Sequence, residues 1–181
     1  ASRTSKGRSI ANVLDLRDGE TARFFLPISD FEKSEDYLFF ATESGRVKRT
    51  SLKDFRNVNR SGIIALNLND GDRLIGVVWT RGDDHVLLAT AKGMAIRFNE
   101  NDARVMGRAA AGVKGIELAS GDRVIGLVRA EAGTDLLTVT ENGYGKRTDL
   151  EEYLVRSDDG TRPQSRGGKG RIDIKTTGRN G

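Results

Sequence analysis

A unit of about fifty residues recurs along the chain, and this repeat limits the possible folds more than any other feature. Three segments align: YLFFATESGRVKRTSLKDF (37–55), HVLLATAKGMAIRFNENDA (85–103) and DLLTVTENGYGKRTDLEEY (135–153). Their central glycines, Gly45, Gly93 and Gly143, stand 48 and 50 residues apart. A second element alternates with the first: NVLDLRDGETARFFLPI (12–28), ALNLNDGDRLIGVVW (65–79) and GIELASGDRVIGLVR (115–129), with turn glycines Gly19, Gly71 and Gly121. In both elements, short apolar and β-branched runs flank a turn that ends in glycine, which is the pattern of a β-hairpin whose turn needs positive φ. Two hairpins per unit predict four strands, and tandem four-stranded units predict an all-β array of propeller-like blades. The units run approximately over 1–28 (partial), 37–79, 85–129 and 135–181, about three and a half repeats within a single domain, 1–181. Closed propellers typically have at least four blades, so the count predicts a fragment of a longer array. Ser51, Asn99 and Asp149 share one aligned position, and each predicts the N-cap of a single helical turn.

Within such a fold, little points to catalysis. The chain has no cysteine and one histidine, which removes disulfides, thiolate metal sites and most triads. His85 opens the apolar run HVLLAT and reads as a structural or surface residue, while Trp79 closes GVVW and reads as core. Tyr37, Tyr144 and Tyr153 occupy repeat positions and read as packing or surface residues. Asp72 and Asp122 directly follow a turn glycine, where a carboxylate suits bonding to local backbone. No apolar run approaches the length that spans a membrane, and the start, ASRTSKGRSI, lacks a secretory core segment. The absence of cysteine fits a cytoplasmic setting.

The basic residues are more informative. From Gln164 to Gly181 there are five basic side chains and one acid, a charge of +4, while the other 163 residues balance at 25 of each sign. Arg3, Lys6 and Arg8 add positive charge at the other end. Arg49, Arg97 and Arg147 recur at one aligned position, preceded by Lys48 and Lys146 in two of the three units. The R-x-x-x-R spacing recurs as Arg56/Arg60 and Arg104/Arg108. Repeated blades carrying these residues predict a curved positive track on the rim. No aromatic ladder accompanies it, which argues against single-strand stacking, and no helix reads as a groove reader. The expected partner is duplex DNA held through its phosphates, with salt-sensitive and sequence-tolerant binding. The competing expectation is a protein-interaction platform whose basic residues serve solubility.

Three phrases, ENGYGKRT (141–148), RSGIIALNLNDGDRLIGV (60–77) and GVKGIELASGDRVIGL (112–127), closely resemble the C-terminal domain of the DNA gyrase A subunit. The resemblance implies a β-pinwheel of four-stranded blades that wraps and bends DNA for a bacterial type IIA topoisomerase. It also implies that the catalytic tyrosine and the ATP and Mg chemistry lie outside this chain, so no cofactor is expected in it. The implied partners are the remainder of the gyrase A subunit, together with the gyrase B subunit, in the intact heterotetramer. The implied localisation is cytoplasmic and nucleoid-associated. The topoisomerase IV counterpart, which captures DNA segments, is the near alternative. QSRGGKG (164–170) resembles the family's gyrase A box, matching at Gln164, Arg166, Gly167, Gly168, Lys169 and Gly170, with Ser165 where a second basic residue is common. The resemblance makes this stretch, with Arg171, a phosphate clamp. The family's box belongs to the first blade, whereas this copy follows the third first-type hairpin.

Overall fold

The computed structural model describes residues 6–7, 13–14, 16–32, 35–59 and 61–181. Each aligned apolar run becomes a strand that turns back through its glycine. Strands β1 (Tyr37–Thr42) and β2 (Arg46–Ser51), β4 (His85–Thr90) and β5 (Met94–Asn99), and β8 (Asp135–Val139) and β9 (Gly145–Asp149) form three antiparallel hairpins. Gly45, Gly93 and Gly143 take φ of 82°, 77° and 79°, the left-handed region these turns need. The turns are also braced from afar. Asp72 accepts from the Ser44 N–H at 2.9 Å, and Asp122 accepts from the Lys92 N–H at 2.9 Å. Both carboxylates accept from the next residue's N–H as well, so the acids after the turn glycines serve local and remote backbone together.

A single 3-10 turn follows each hairpin, at Leu52–Phe55, Glu100–Asp102 and Leu150–Tyr153. Asn99 and Asp149 cap theirs by accepting from the N–H two residues on, while Ser51 makes no side-chain cap bond.

The second element does not fold as a hairpin. Strand β3 (Leu74–Thr80) pairs with β1, and β7 (Val124–Ala130) pairs with β4. The other arm crosses to the preceding unit: β6 (Val113–Lys114) pairs with β2, matching Arg46 with Lys114 and Val47 with Val113. The turn at Gly121 is present, with φ 68°, but its two arms serve two different blades. Strand β12 (Arg171–Ile172) repeats this exchange on β5. The physical reason is that β2 and β5 each leave one edge unpaired inside their own unit, and an open edge accepts whichever segment the chain delivers to it. Among the described residues of 12–28 and 65–73 there is no strand.

The result is two four-stranded sheets, β3-β1-β2-β6 and β7-β4-β5-β12, beside the two-stranded β8–β9. A Cβ added to Gly76 on β3 would stand 2.9 Å from Leu127 Cβ on β7. The β3 and β7 ends of the sheets therefore meet, and β6 and β12 form the outer edge. Between the sheets lie Phe39, Val47, Val86, Ile96, Phe98 and Val124, all buried, with the Phe39 and Phe98 rings 6.1 Å apart. Burying each ring stabilises the packed blades by about 2–3 kcal/mol. Leu87, Ala95, Leu150 and Tyr153 join the second blade to the third hairpin. A short extra hairpin, β10 (Val155–Ser157) with β11 (Gly160–Arg162), is inserted before the box.

Candidate nucleic-acid interface

The recurring basic residues inside the strands are not on the surface. Arg49 and Arg97 are 6% and 5% exposed, and Lys48 is fully buried, so the expected rim track does not run through them. Arg49 bonds the Asn101 carboxamide, stands 3.6 Å from the buried Glu100 carboxylate, and covers the Tyr37 ring at 4.6 Å. Arg97 donates to the Leu150 carbonyl at 2.8 Å and to Glu151 at 3.0 Å. Each arginine therefore reaches the 3-10 turn of the following unit, which makes it a lock between blades. His85 Nδ1 accepts from Arg97 Nε at 3.2 Å. Burial, and then the Arg97 charge, hold the imidazole below its ordinary pKa. At the third copy of this position Arg147 is exposed and pairs with Asp135 at 2.9 Å.

Lys48 donates to the carbonyls of Ala65, Gly107 and Arg108. Burial, and then the Arg108 charge, lower its pKa to about 8, with Asp54 opposing them. Lys146, its aligned counterpart, is exposed but donates to the Asp173 carbonyl at 2.9 Å. Strand alternation does not decide where these side chains end, because a long cationic side chain can satisfy itself on neighbouring backbone instead of reaching water.

On the outer edge the geometry is different. Arg104 is exposed, Arg108 is half-buried, and Arg56 is exposed with Glu32 at 3.6 Å. Lys6 is exposed, whereas Arg3, Arg8 and Arg60 lie outside the described residues. The box runs across the junction of the two sheets. The Gln164 N–H donates to Arg97 O at 3.0 Å, the Gly167 N–H donates to Gly115 O at 2.6 Å, and Gly168 O accepts from the Glu117 N–H at 2.9 Å. Arg166 Nε donates to Asp102 O at 2.7 Å, and its Nη1 donates to Lys114 O at 2.9 Å. Gln164 Nε2 is buried with no hydrogen-bond partner. Lys169 and Arg171 are exposed, although Arg171 also bonds the Leu154 carbonyl.

The box has a structural twin that sequence reading missed. The Met106 N–H donates to Arg49 O at 2.8 Å, as the Gln164 N–H does to Arg97 O. Gly112 and Gly170 have φ of 85° and 75°, and a Cβ on either would collide with a carbonyl oxygen, of Val47 and Ala95 respectively. The two residues after each glycine form β6 and β12. Next, the N–H groups of Gly115 and Ile116 donate to Gly45 O, and those of Asp173 and Ile174 to Gly93 O. MGRAAAG (106–112) and QSRGGKG (164–170) therefore serve as matching straps between blades, anchored alike at both ends, although Gly167 has φ 82° where Ala109 does not take the left-handed region. The spacing of Gly112 and Gly170 could not reveal this, because the inserted β10–β11 hairpin breaks the fifty-residue period. Lys114 was also missed: it is exposed on β6 beside the box, but its counterpart on β12 is Ile172.

The fold and this edge together define an all-β module of propeller-type blades with basic straps on its rim. A family profile described as DNA gyrase C-terminal domain, beta-propeller, matches residues 36–78, 84–131, 134–158 and 162–180, and the chain belongs to that family. It is 46% identical over 185 residues to the DNA gyrase A subunit of Haloquadratum walsbyi, covering 99% of this chain and 21% of the relative. It thus spans about a fifth of the length of the curated relatives it matches. A solved DNA gyrase A C-terminal domain superposes with a TM-score of 0.81 at 29% identity, covering 98% of this chain and 56% of that one. The C-terminal domain of DNA topoisomerase IV gives 0.80 at 29% identity, covering 92% and 49%. Among the described residues, no helix is long and apolar enough to cross a membrane.

Proposed function

We propose that this chain is a non-catalytic DNA-wrapping domain of the gyrase A subunit. It binds duplex DNA through phosphates along the outer edge formed by β6, β12 and their straps, and bends it around the blades. In the whole enzyme, built with the rest of the gyrase A subunit plus the gyrase B subunit, that bend gives strand passage its negative-supercoiling handedness. ATP and Mg act elsewhere in the assembly, which works in the cytoplasm on the nucleoid. What carries this reading is the strap 164–171, where exposed Lys169 and Arg171 lie on the outer edge beside exposed Lys114. A basic edge suits phosphate contacts made without base readout.

The test is duplex binding measured against salt. A log–log slope equivalent to about six or more phosphates supports the reading, and a flat response supports a protein-interaction platform instead. Topological shift on relaxed plasmid then separates wrapping from simple binding. The likeness to the topoisomerase IV domain favours a second reading, capture of a DNA segment without wrapping. Binding with no topological shift would select it.

A further inference from the structure

The two described joints between units are closed by arginines at one aligned position, but different residues stand beside them. At the first joint Arg49 lies over the Tyr37 ring at 4.6 Å and 3.6 Å from Glu100, which is fully buried. At the second, His85 takes the place of Tyr37, each opening the first strand of its hairpin. Arg97 there pairs at 3.0 Å with Glu151, whose side chain is 54% exposed. Its Nε also donates to His85 Nδ1 at 3.2 Å.

A neutral imidazole has one N–H and one open lone pair. Because Nδ1 accepts from Arg97, the ring hydrogen is on Nε2, and Nδ1 is the ring position left to take a proton. A proton there removes the acceptor that Arg97 uses and sets two cations against each other. The Tyr37 ring offers Arg49 only its face, which takes up no proton.

His85 is half-buried beside a cleft lined by Arg81, Asp83, Asp84, Arg129 and Glu131, and Glu151 acts on it from the 3-10 turn of the third unit. Asp83 accepts from Asn99 Nδ2 at 2.9 Å, and Asp84 accepts from the Arg81 N–H at 2.9 Å and pairs with Arg129 at 3.5 Å. Asp83, Glu151 and Asp84 favour a proton on the ring, but burial and then the Arg97 charge outweigh them and hold it below its ordinary value of 6.5. The stability this adds is present in full above pH 6.5 and is lost as pH falls through the folded value, because the unfolded chain binds the proton first. The Arg97 backbone is tied in as well. Its carbonyl accepts from the Gln164 N–H at 3.0 Å, where the strap begins, as Arg49 O accepts from the Met106 N–H at 2.8 Å.

We infer that the joint between the second blade and the third hairpin is a proton-operated switch: protonation of His85 at Nδ1 releases its bond from Arg97 and loosens the third hairpin, while the Arg49 joint stays closed.

The test follows the 181-residue chain by NMR from about pH 7.5 to about pH 5, where its single histidine makes the imidazole signal unambiguous. Hydrogen exchange of the Gln164 amide is measured along the same series, with the Met106 amide as internal reference. Protection of Gln164 should fall about fivefold relative to Met106, the equivalent of one lost hydrogen bond, and with the midpoint of the imidazole titration. His85→Tyr copies the first joint, and His85→Gln keeps an acceptor without a titrating group, so each should remove the fall. A Gln164-to-Met106 ratio that stays constant while the imidazole takes its proton overturns the inference. So does a fall that persists in either variant, or an imidazole that gains no proton before the chain unfolds. The measurement needs no DNA, so its outcome is independent of the proposed function.

Discussion

The blade interfaces and the outer edge both carry basic residues, and they carry them for opposite reasons. At the interfaces, Arg49 and Arg97 recur because each unit must be tied to the 3-10 turn of the next. On the edge, the informative residues are those that break the recurrence: Gly167, Gly168 and Lys169 stand where the twin strap has Ala109, Ala110 and Ala111. In this repeat, recurrence marks what the fold needs wherever one described unit packs on the next, as at Arg49 and Arg97. Departure from it marks what one unit does that its neighbours do not.

This contrast can be broken at several points. The largest expected effect is at Glu100, which is fully buried and accepts from Thr80 Oγ1 at 2.6 Å and from the N–H groups of Gly82 and Asp84 at 2.8 and 2.9 Å. Glu100→Ala strands Arg49 and those donors, and should lower stability by about 3–5 kcal/mol in chemical denaturation. Gly112→Ala and Gly170→Ala come next. Both should lose about 2–4 kcal/mol, and by similar amounts, because the two straps share the same close approach. Unequal losses would show that the twins are not equivalent.

Lys48 gives a smaller effect, read by pH. Its folded pKa of about 8 lies below the unfolded value of 10.5. Between those values the unfolded chain binds more protons, so stability rises with pH through that window and the gain is lost as pH falls through 8. The gain is on the order of 1 kcal/mol and should vanish in Lys48→Met when variant and parent are compared across that range. The smallest effect is at Arg147. It aligns with the buried Arg97, yet its side chain is 77% exposed. Arg147→Ala should change stability by no more than about 0.5 kcal/mol, whereas Arg97→Ala should be clearly destabilising.

Much of the architecture was legible because it is local. A glycine at φ near 80° and alternating apolar runs define β1–β2, β4–β5 and β8–β9 without reference to distant residues. The cap residues Asn99 and Asp149 likewise announce their 3-10 turns. The strand exchange was not legible, because β6 is two residues long and its partner β2 lies more than sixty residues earlier. No periodicity marks so short a pairing. The burial of Arg49, Arg97 and Lys48 was hidden for a related reason: their partners are carbonyls and side chains of other units, and a cationic side chain carries no local sign of whether it ends in water or on backbone.

The sequence by itself therefore determined the all-β repeat, the hairpin turns, the concentration of charge near the C-terminus and the glycines at 167, 168 and 170. These follow from the backbone preferences and charges of residues close together in the chain. Only the tertiary structure decided which basic residues face outward, which sheet each arm joins, and that the box shares its anchoring between blades with the segment 106–112. Those outcomes depend on which open edges and unpaired carbonyls the packed blades bring within reach.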